Sequence, residues 1–161
     1  MALFTMPQLR ASLPRHARIL GIDPGSRVIG LALSDVLLML ASPYGALKRG
    51  KLAVNAAEVR AIASKEGVGG LLVGLPLGMD GSFGPAAQAA KDWAMALGDA
   101  VGLGVALWDE RLSSAAVNRA MIEADVTRAK RAAAVDAAAA AYVLQAALDA
   151  SVVLQLDGDW A

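Results

Sequence analysis

Residues 18–34, RILGIDPGSRVIGLALS, decide the fold. Arg18–Asp23 is a short apolar run of the kind that forms a buried strand, and Pro24-Gly25-Ser26 breaks it with turn chemistry. Val28–Ser34 then reads as a second strand, so the chain opens on a hairpin whose first strand ends in an acid. A weaker third strand is expected at Ser42–Leu47, after a kink near Pro43. Over Lys51–Glu66 the spacing of Leu52, Val54, Val59, Ile62 and Ala63 is helical, and Gly67 supplies the stop.

Gly70–Gly74 is again a short buried strand, and it runs into the glycine-rich loop Leu75–Gly84. Pro85 starts a helix expected to reach about Leu97, with Gly98 just past its end. Val105–Trp108 is a fifth strand. Ser113 or Ser114 suits the cap of a helix ending near Ala124, and a polar hinge, Asp125–Arg131, leads to a long helix over Ala132–Asp149. The segment Val152–Trp160 reads as an edge strand or a loose end. Later strands that alternate with helices must pair parallel through crossovers, so the class is α/β, with a mixed five-stranded sheet and helices on both faces.

The chain has 161 residues, a length for one domain, and 57% of them are hydrophobic against 19% charged, which excludes a disordered chain. With 4% aromatic residues, packing relies on Ala, Leu and Val brought close together. The absence of cysteine removes disulfides, zinc-thiolate sites and thiol nucleophiles, and a reducing cytoplasm is the expected compartment. The runs Val28–Ala41 and Ala132–Leu148 carry Asp35, and Asp136 with Gln145, and do not read as membrane spans. Residues 1–17, basic and broken by prolines, are expected to be a flexible extension. The domain proper is expected at 18–150, followed by a tail at 151–161.

Fifteen bases balance fifteen acids, but not evenly along the chain. Residues 1–30 carry four bases against Asp23. Residues 111–131 hold Arg111, Arg119, Arg128, Lys130 and Arg131 against Glu123 and Asp125, so a polyanion has two basic segments to meet.

Four acids stand out. Asp23 leaves the first strand at its carboxyl end, where ligands collect in sheets of this kind, and Asp109-Glu110 leave the last strand in the same way. Asp136 lies on a helix whose neighbours three and four residues away are Ala132, Ala133, Ala139 and Ala140, so the helix itself supplies no counter-charge. Each acid has a plainer reading: an Asx turn for Asp23, a surface pair with Arg111 for Asp109 and Glu110, and a helix-dipole partner for Asp136. Together they suit a hard divalent cation such as Mg²⁺, or two ions ~4 Å apart that act on a phosphodiester, with Asp23 as the bridge. Arg111, Lys130 and Arg131 would hold neighbouring phosphates, or form an ordinary solvated surface.

The segments GIDPGSRVIGLALSD (21–35), VGLPLGMDGSFG (73–84), DERLSS (109–114) and VDAAAAAYVLQ (135–145) together resemble the YqgF family of Holliday junction resolvase-like proteins, described as pre-16S ribosomal RNA nucleases. The resemblance covers about Arg18–Asp149. It implies an RNase H-like fold, with three antiparallel strands and then two parallel ones. It also implies a nuclease dependent on Mg²⁺ or Mn²⁺, with a two-metal site, that matures the 5′ end of 16S ribosomal RNA or acts on branched DNA. By position Asp23, Glu110 and Asp136 take the catalytic and metal-binding roles, with Asp109 assisting. Gly25, Ser26, Arg27, Arg111, Ser113, Ser114, Lys130 and Arg131 fall on the nucleic-acid side, and Gly30 on a close-packing glycine. Better-known resolvases of the superfamily carry the second acid at the end of the preceding strand, where this chain has Gly74-Leu75-Pro76, so here it must come from Asp109-Glu110. The partners implied are precursor ribosomal RNA, branched DNA and ribosomal precursor particles, with no membrane, for a monomer or homodimer.

Three other functions share parts of this pattern. A nucleotide-binding protein of the sugar kinase and actin superfamily would need a doubled fold and a second phosphate loop. A Rossmann dinucleotide binder would need G-x-G-x-x-G before a helix, and here a strand follows the turn. A non-catalytic nucleic-acid or transcription-associated module differs from the nuclease only in activity.

Overall fold

The computed structural model describes residues 3–76, 82–110 and 128–160, with the backbone alone for 128–133 and 153–160. In chain order the elements are β1 (Leu3–Phe4), α1 (Met6–Ser12), β2 (Arg18–Pro24), β3 (Val28–Ser34), β4 (Ala41–Lys48), α2 (Leu52–Glu66), β5 (Val68–Leu75), α3 (Pro85–Val101), β6 (Gly104–Asp109) and α4 (Arg128–Trp160). They form one sheet in the order β1-β6-β5-β2-β3-β4. The β2–β3–β4 meander is antiparallel, while β5 pairs parallel to β2, β6 to β5, and β1 to β6.

Strand alternation sorts the apolar residues into two layers. Leu20, Ile22, Ile29, Leu31, Leu71 and Val73 face Ala56 and Val59 of α2 and Ala94 and Leu97 of α3. Ile19, Ala32, Leu72 and Ala106 face Leu144 and Leu148 of α4, with Met6 and Leu9 of α1 closing the end. The second layer is built from small residues because α4 lies almost on the sheet. A Cβ at Gly21 would stand 2.9 Å from the Leu144 Cβ, and one at Gly30 would stand 2.0 Å from the backbone oxygen of Asp136. The stretch Ala134–Val152 is long and apolar enough to cross a membrane, but 56% of it is buried in this fold, as suits a core helix.

The sheet has six strands rather than the five expected. The extra one is β1, and it lies in the segment expected to be a flexible extension. Thr5 caps α1 in a reciprocal box with Gln8, and Leu9 is fully buried. A two-residue strand and a seven-residue helix are too short to leave a periodic signal. α3 also runs past Gly98 to Val101. Gly98 is a packing glycine, because a Cβ there would meet Val105 at 2.4 Å, and the left-handed stop is Gly102 at φ 83°.

The long helix begins at Arg128, inside the expected hinge, and continues through the expected tail to Trp160. Neither glycine nor proline interrupts it before Gly158, and Ser151 turns its hydroxyl back onto the Ala147 and Leu148 carbonyls. The helix expected to run from Ser113 or Ser114 to Ala124 lies outside the described residues.

Between β3 and β4 the carboxylate of Asp35 accepts the Met39 and Leu40 amides at 2.8 and 3.0 Å, holding a turn in which Leu38 takes φ 57°. Burial pushes the Asp35 carboxyl upward, but these backbone N–H bonds outweigh it and the net shift is below the ordinary 3.8. A depressed carboxyl stabilises the fold above its unfolded value and loses that contribution as pH falls through the folded one. The stability advantage of the native chain over Asp35→Asn should therefore shrink between neutral pH and about pH 3, as read from denaturant midpoints.

Gly30→Ala, blocked by backbone rather than by a movable side chain, should cost about 2–3 kcal/mol in the same measurement. Gly45→Ala, where a Cβ meets nothing within 4 Å, should stay within about 0.5 kcal/mol.

Candidate functional site

One row of residues crosses the sheet near the carboxyl ends of β2 and β5. Trp108 pairs with Gly74, and Asp23 pairs with Gly30, which pairs in turn with Ala46. β2 and β5 meet at Ile22 and Val73, so Asp23 and Gly74 are the next neighbours along both strands. Alternation puts Ile19, Gly21 and Asp23 of β2 on the face covered by α4, as it does Ala32 and Gly30 of β3 and Leu72 and Gly74 of β5.

Two of the row's positions are glycines, and each seats an acid that arrives from elsewhere. Asp136 crosses directly above Gly30, where a Cβ would be 3.1 Å from the Asp136 Cβ. Glu110, one residue beyond β6, lays its carboxylate over Gly74, where a Cβ would be 2.7 Å from Oε1. Asp23, 7% exposed, is the acid that belongs to the sheet itself. Asp23, Glu110 and Asp136 thus share one face of four neighbouring strands.

Asp109 is not brought into this row. It follows Leu107 and Val105 in the alternation of β6, on the side packed by α2 and α3. Among the described residues no three His, Cys, Asp or Glu side chains stand as a ready metal cage.

The turn after Asp23 is tight and anchored. The Gly25 amide donates to the Asp23 carbonyl at 3.0 Å, and a Cβ on Gly25 would collide with the Val28 carbonyl at 2.4 Å. Ser26 and Arg27 are exposed at its tip. From the end of β4, Arg49 donates through Nη1 to the Gly25 carbonyl at 2.8 Å and stacks over Trp93 of α3, 5.0 Å from the ring centre. Arg111, Ser113 and Ser114 lie outside the described residues, as do the side chains of Lys130 and Arg131, whose backbone is in the first turn of α4.

Sequence reasoning missed Gly74 as a seat and Arg49 as an anchor. The signal for Arg49 was present, since Lys48-Arg49-Gly50-Lys51 puts three bases in four residues. Gly74 gave none, because a glycine's meaning here depends on what passes above it. Gly74→Ala should leave the unfolding free energy within about 1 kcal/mol, because the Cβ meets a side chain and not backbone. It should instead displace the Glu110 carboxylate, which a crystal structure of the variant would read.

Comparison with known proteins agrees with this architecture. Residues 17–150 match the model of the family described as RuvX, Holliday junction resolvase. A Gluconacetobacter diazotrophicus protein named "Putative pre-16S rRNA nuclease" is 66% identical over 152 residues, covering 94% of this chain and 99% of its own. One of the same name from Acidiphilium cryptum is 66% identical over 149 residues, covering 92% and 94%. Among solved structures, T. thermophilus RuvC in complex with a Holliday junction substrate shares the fold at a TM-score of 0.55 and 18% identity, over 85% of this chain and 96% of that one. A family match across most of the chain, near relatives at two-thirds identity and the motif order read from the sequence all agree: this chain belongs to the RuvX family, the YqgF family of the sequence resemblance.

Proposed function

We propose that the protein is a nuclease that hydrolyses phosphodiester bonds in structured nucleic acid, with the 5′ end of precursor 16S ribosomal RNA as its substrate. The observation that carries this reading is the glycine-floored row, where Asp23, Glu110 and Asp136 lie on one face beside an exposed, anchored turn. The names of the close relatives support the RNA substrate. The family's description keeps branched DNA as the second substrate to test.

The residues fit a hard divalent cation, Mg²⁺ or Mn²⁺. The donors are carboxylate oxygens alone, and the sheet beneath two of them is bare of side chains. Mg²⁺ keeps several of its waters and takes one or two carboxylates, so a row of acids suits it without a closed cage. Asp23, Glu110 and Asp136 would hold the ion or ion pair, which when bound supplies Lewis acidity for the hydrolysis. Asp109, on the other face, is left out of this set.

In this reading Asp23 is fixed by its strand and Asp136 by the close helix above it, so two acids are preorganised on rigid elements. Glu110 lies across a smooth floor. Ser26 and Arg27, at the tip of the anchored turn, meet the phosphates next to the scissile one.

The test is cleavage of a precursor 16S ribosomal RNA fragment and of a branched DNA, with Mg²⁺ or Mn²⁺ and then with chelator. Asp23→Asn should lower the rate about 100-fold or more with the circular dichroism spectrum unchanged. Glu110→Gln should fall similarly and Asp109→Asn much less. Full activity in a folded Asp23→Asn protein would overturn the site. Binding without cleavage of either substrate would leave the chain a binding module.

A further inference from the structure

We infer that Lys48 and Lys51 form a second contact for the phosphate backbone of the nucleic acid, at the β4 edge of the sheet. The inference rests on the nuclease reading only for why nucleic acid comes to this face at all.

Lys48 ends β4 opposite Val28 of β3. Its predecessor Leu47 packs into the layer under α2, so alternation turns Lys48 to the other face, the one that carries Asp23. From Asp23 the path is one strand to Gly30, a second strand to Ala46, and two residues along β4 to Lys48. With strands ~4.8 Å apart and ~3.4 Å per residue, the two Cα atoms are about 12 Å apart. Duplex nucleic acid rises ~3.4 Å per nucleotide, so a strand lying in the site passes Lys48 within about four nucleotides.

Three features make this more than scattered surface charge. Arg27, Lys48 and Lys51 are all exposed, and among the described residues none of them makes an ion pair. Their backbone is held in place: the Asn55 side chain accepts from the Gly50 amide and donates to the Lys48 carbonyl, and the Arg49 amide donates to the Arg27 carbonyl. Asn55 is fully buried, and Glu58 on the next turn is engaged by its amide. Finally, Lys51 stands at the N-terminus of α2, whose first turn carries no acid. Lys48, its Cα about 12 Å from that of Asp23, and Lys51 three residues on give a polyanion a track that continues past the reacting group.

The test is equilibrium binding of a labelled RNA hairpin, and of a DNA duplex of matching sequence, to the full chain in chelator over a series of salt concentrations. Each phosphate contact removed lowers the slope of log K against log salt by about 0.9 for a duplex. Lys48→Gln with Lys51→Gln should therefore lower it by about 2. Lys65→Gln, an exposed lysine at the far end of α2, should leave it unchanged. An unchanged slope in the double variant, an equal fall in Lys65→Gln, or no binding by the native chain would each overturn the proposal. Thermal melting of each variant checks that the fold is intact. Failure of the nuclease reading looks different: the native chain would bind with the expected slopes yet cleave neither RNA nor DNA when Mg²⁺ or Mn²⁺ is supplied.

Discussion

The backbone of α4 rests on the sheet at Gly30 and Gly21, and most of what is particular to this molecule follows from that contact. A helix normally keeps its distance from a sheet because side chains fill the space between, and interiors are packed too densely for one to be wedged in afterwards. Here the strands supply glycine and the helix supplies alanine, so Asp136 is carried down to the level of the Asp23 row. The same closeness explains why so few large residues serve on this side. Leu144, Leu148, Ile19 and Leu72 provide the bulk, and the small residues between them set the spacing.

Glu110 meets the sheet by a different route. Its carboxylate lies over Gly74 of the neighbouring strand, reaching in from the end of β6. The two glycine seats differ in stiffness. Over Gly30 the obstacle is peptide backbone, which does not yield, whereas over Gly74 it is the end of a long side chain, which does. One acid is therefore set by backbone and another by a longer side chain, with Asp23 between them at the register pair that joins β2 to β3.

Much of this was legible in the sequence, for physical reasons that differ by element. The opening hairpin showed itself because an apolar run, a Pro-Gly turn and a second apolar run form a local pattern. The register that unites Asp23 with Gly30 follows from that turn. α2 and β5 were equally clear, since Gly67 takes the left-handed conformation that ends one and opens the other. The faces taken by Asp109 and Glu110 were beyond spacing alone, because adjacent acids at a strand end point to opposite faces and only the full register says which is which. The end of α3 was misread for a related cause: Gly98 is kept by contact with Val105, not by a turn. Tertiary contact, unlike turn chemistry, leaves no local trace.

The pairing of β1 with β6 joins Leu3 to Val105 and Phe4 to Ala106, residues about a hundred positions apart. Arg10 of α1 reaches further still, donating to the Ser151 hydroxyl on α4. A chain made from its amino end outward must therefore hold β1 undocked until β6 has emerged, and α1 until α4 has. Contacts of such sequence separation form late and slowly, because closing the loop costs entropy before any burial repays it. The corner of the molecule built by β1 and α1 is thus closed only once β6 and α4 are in place.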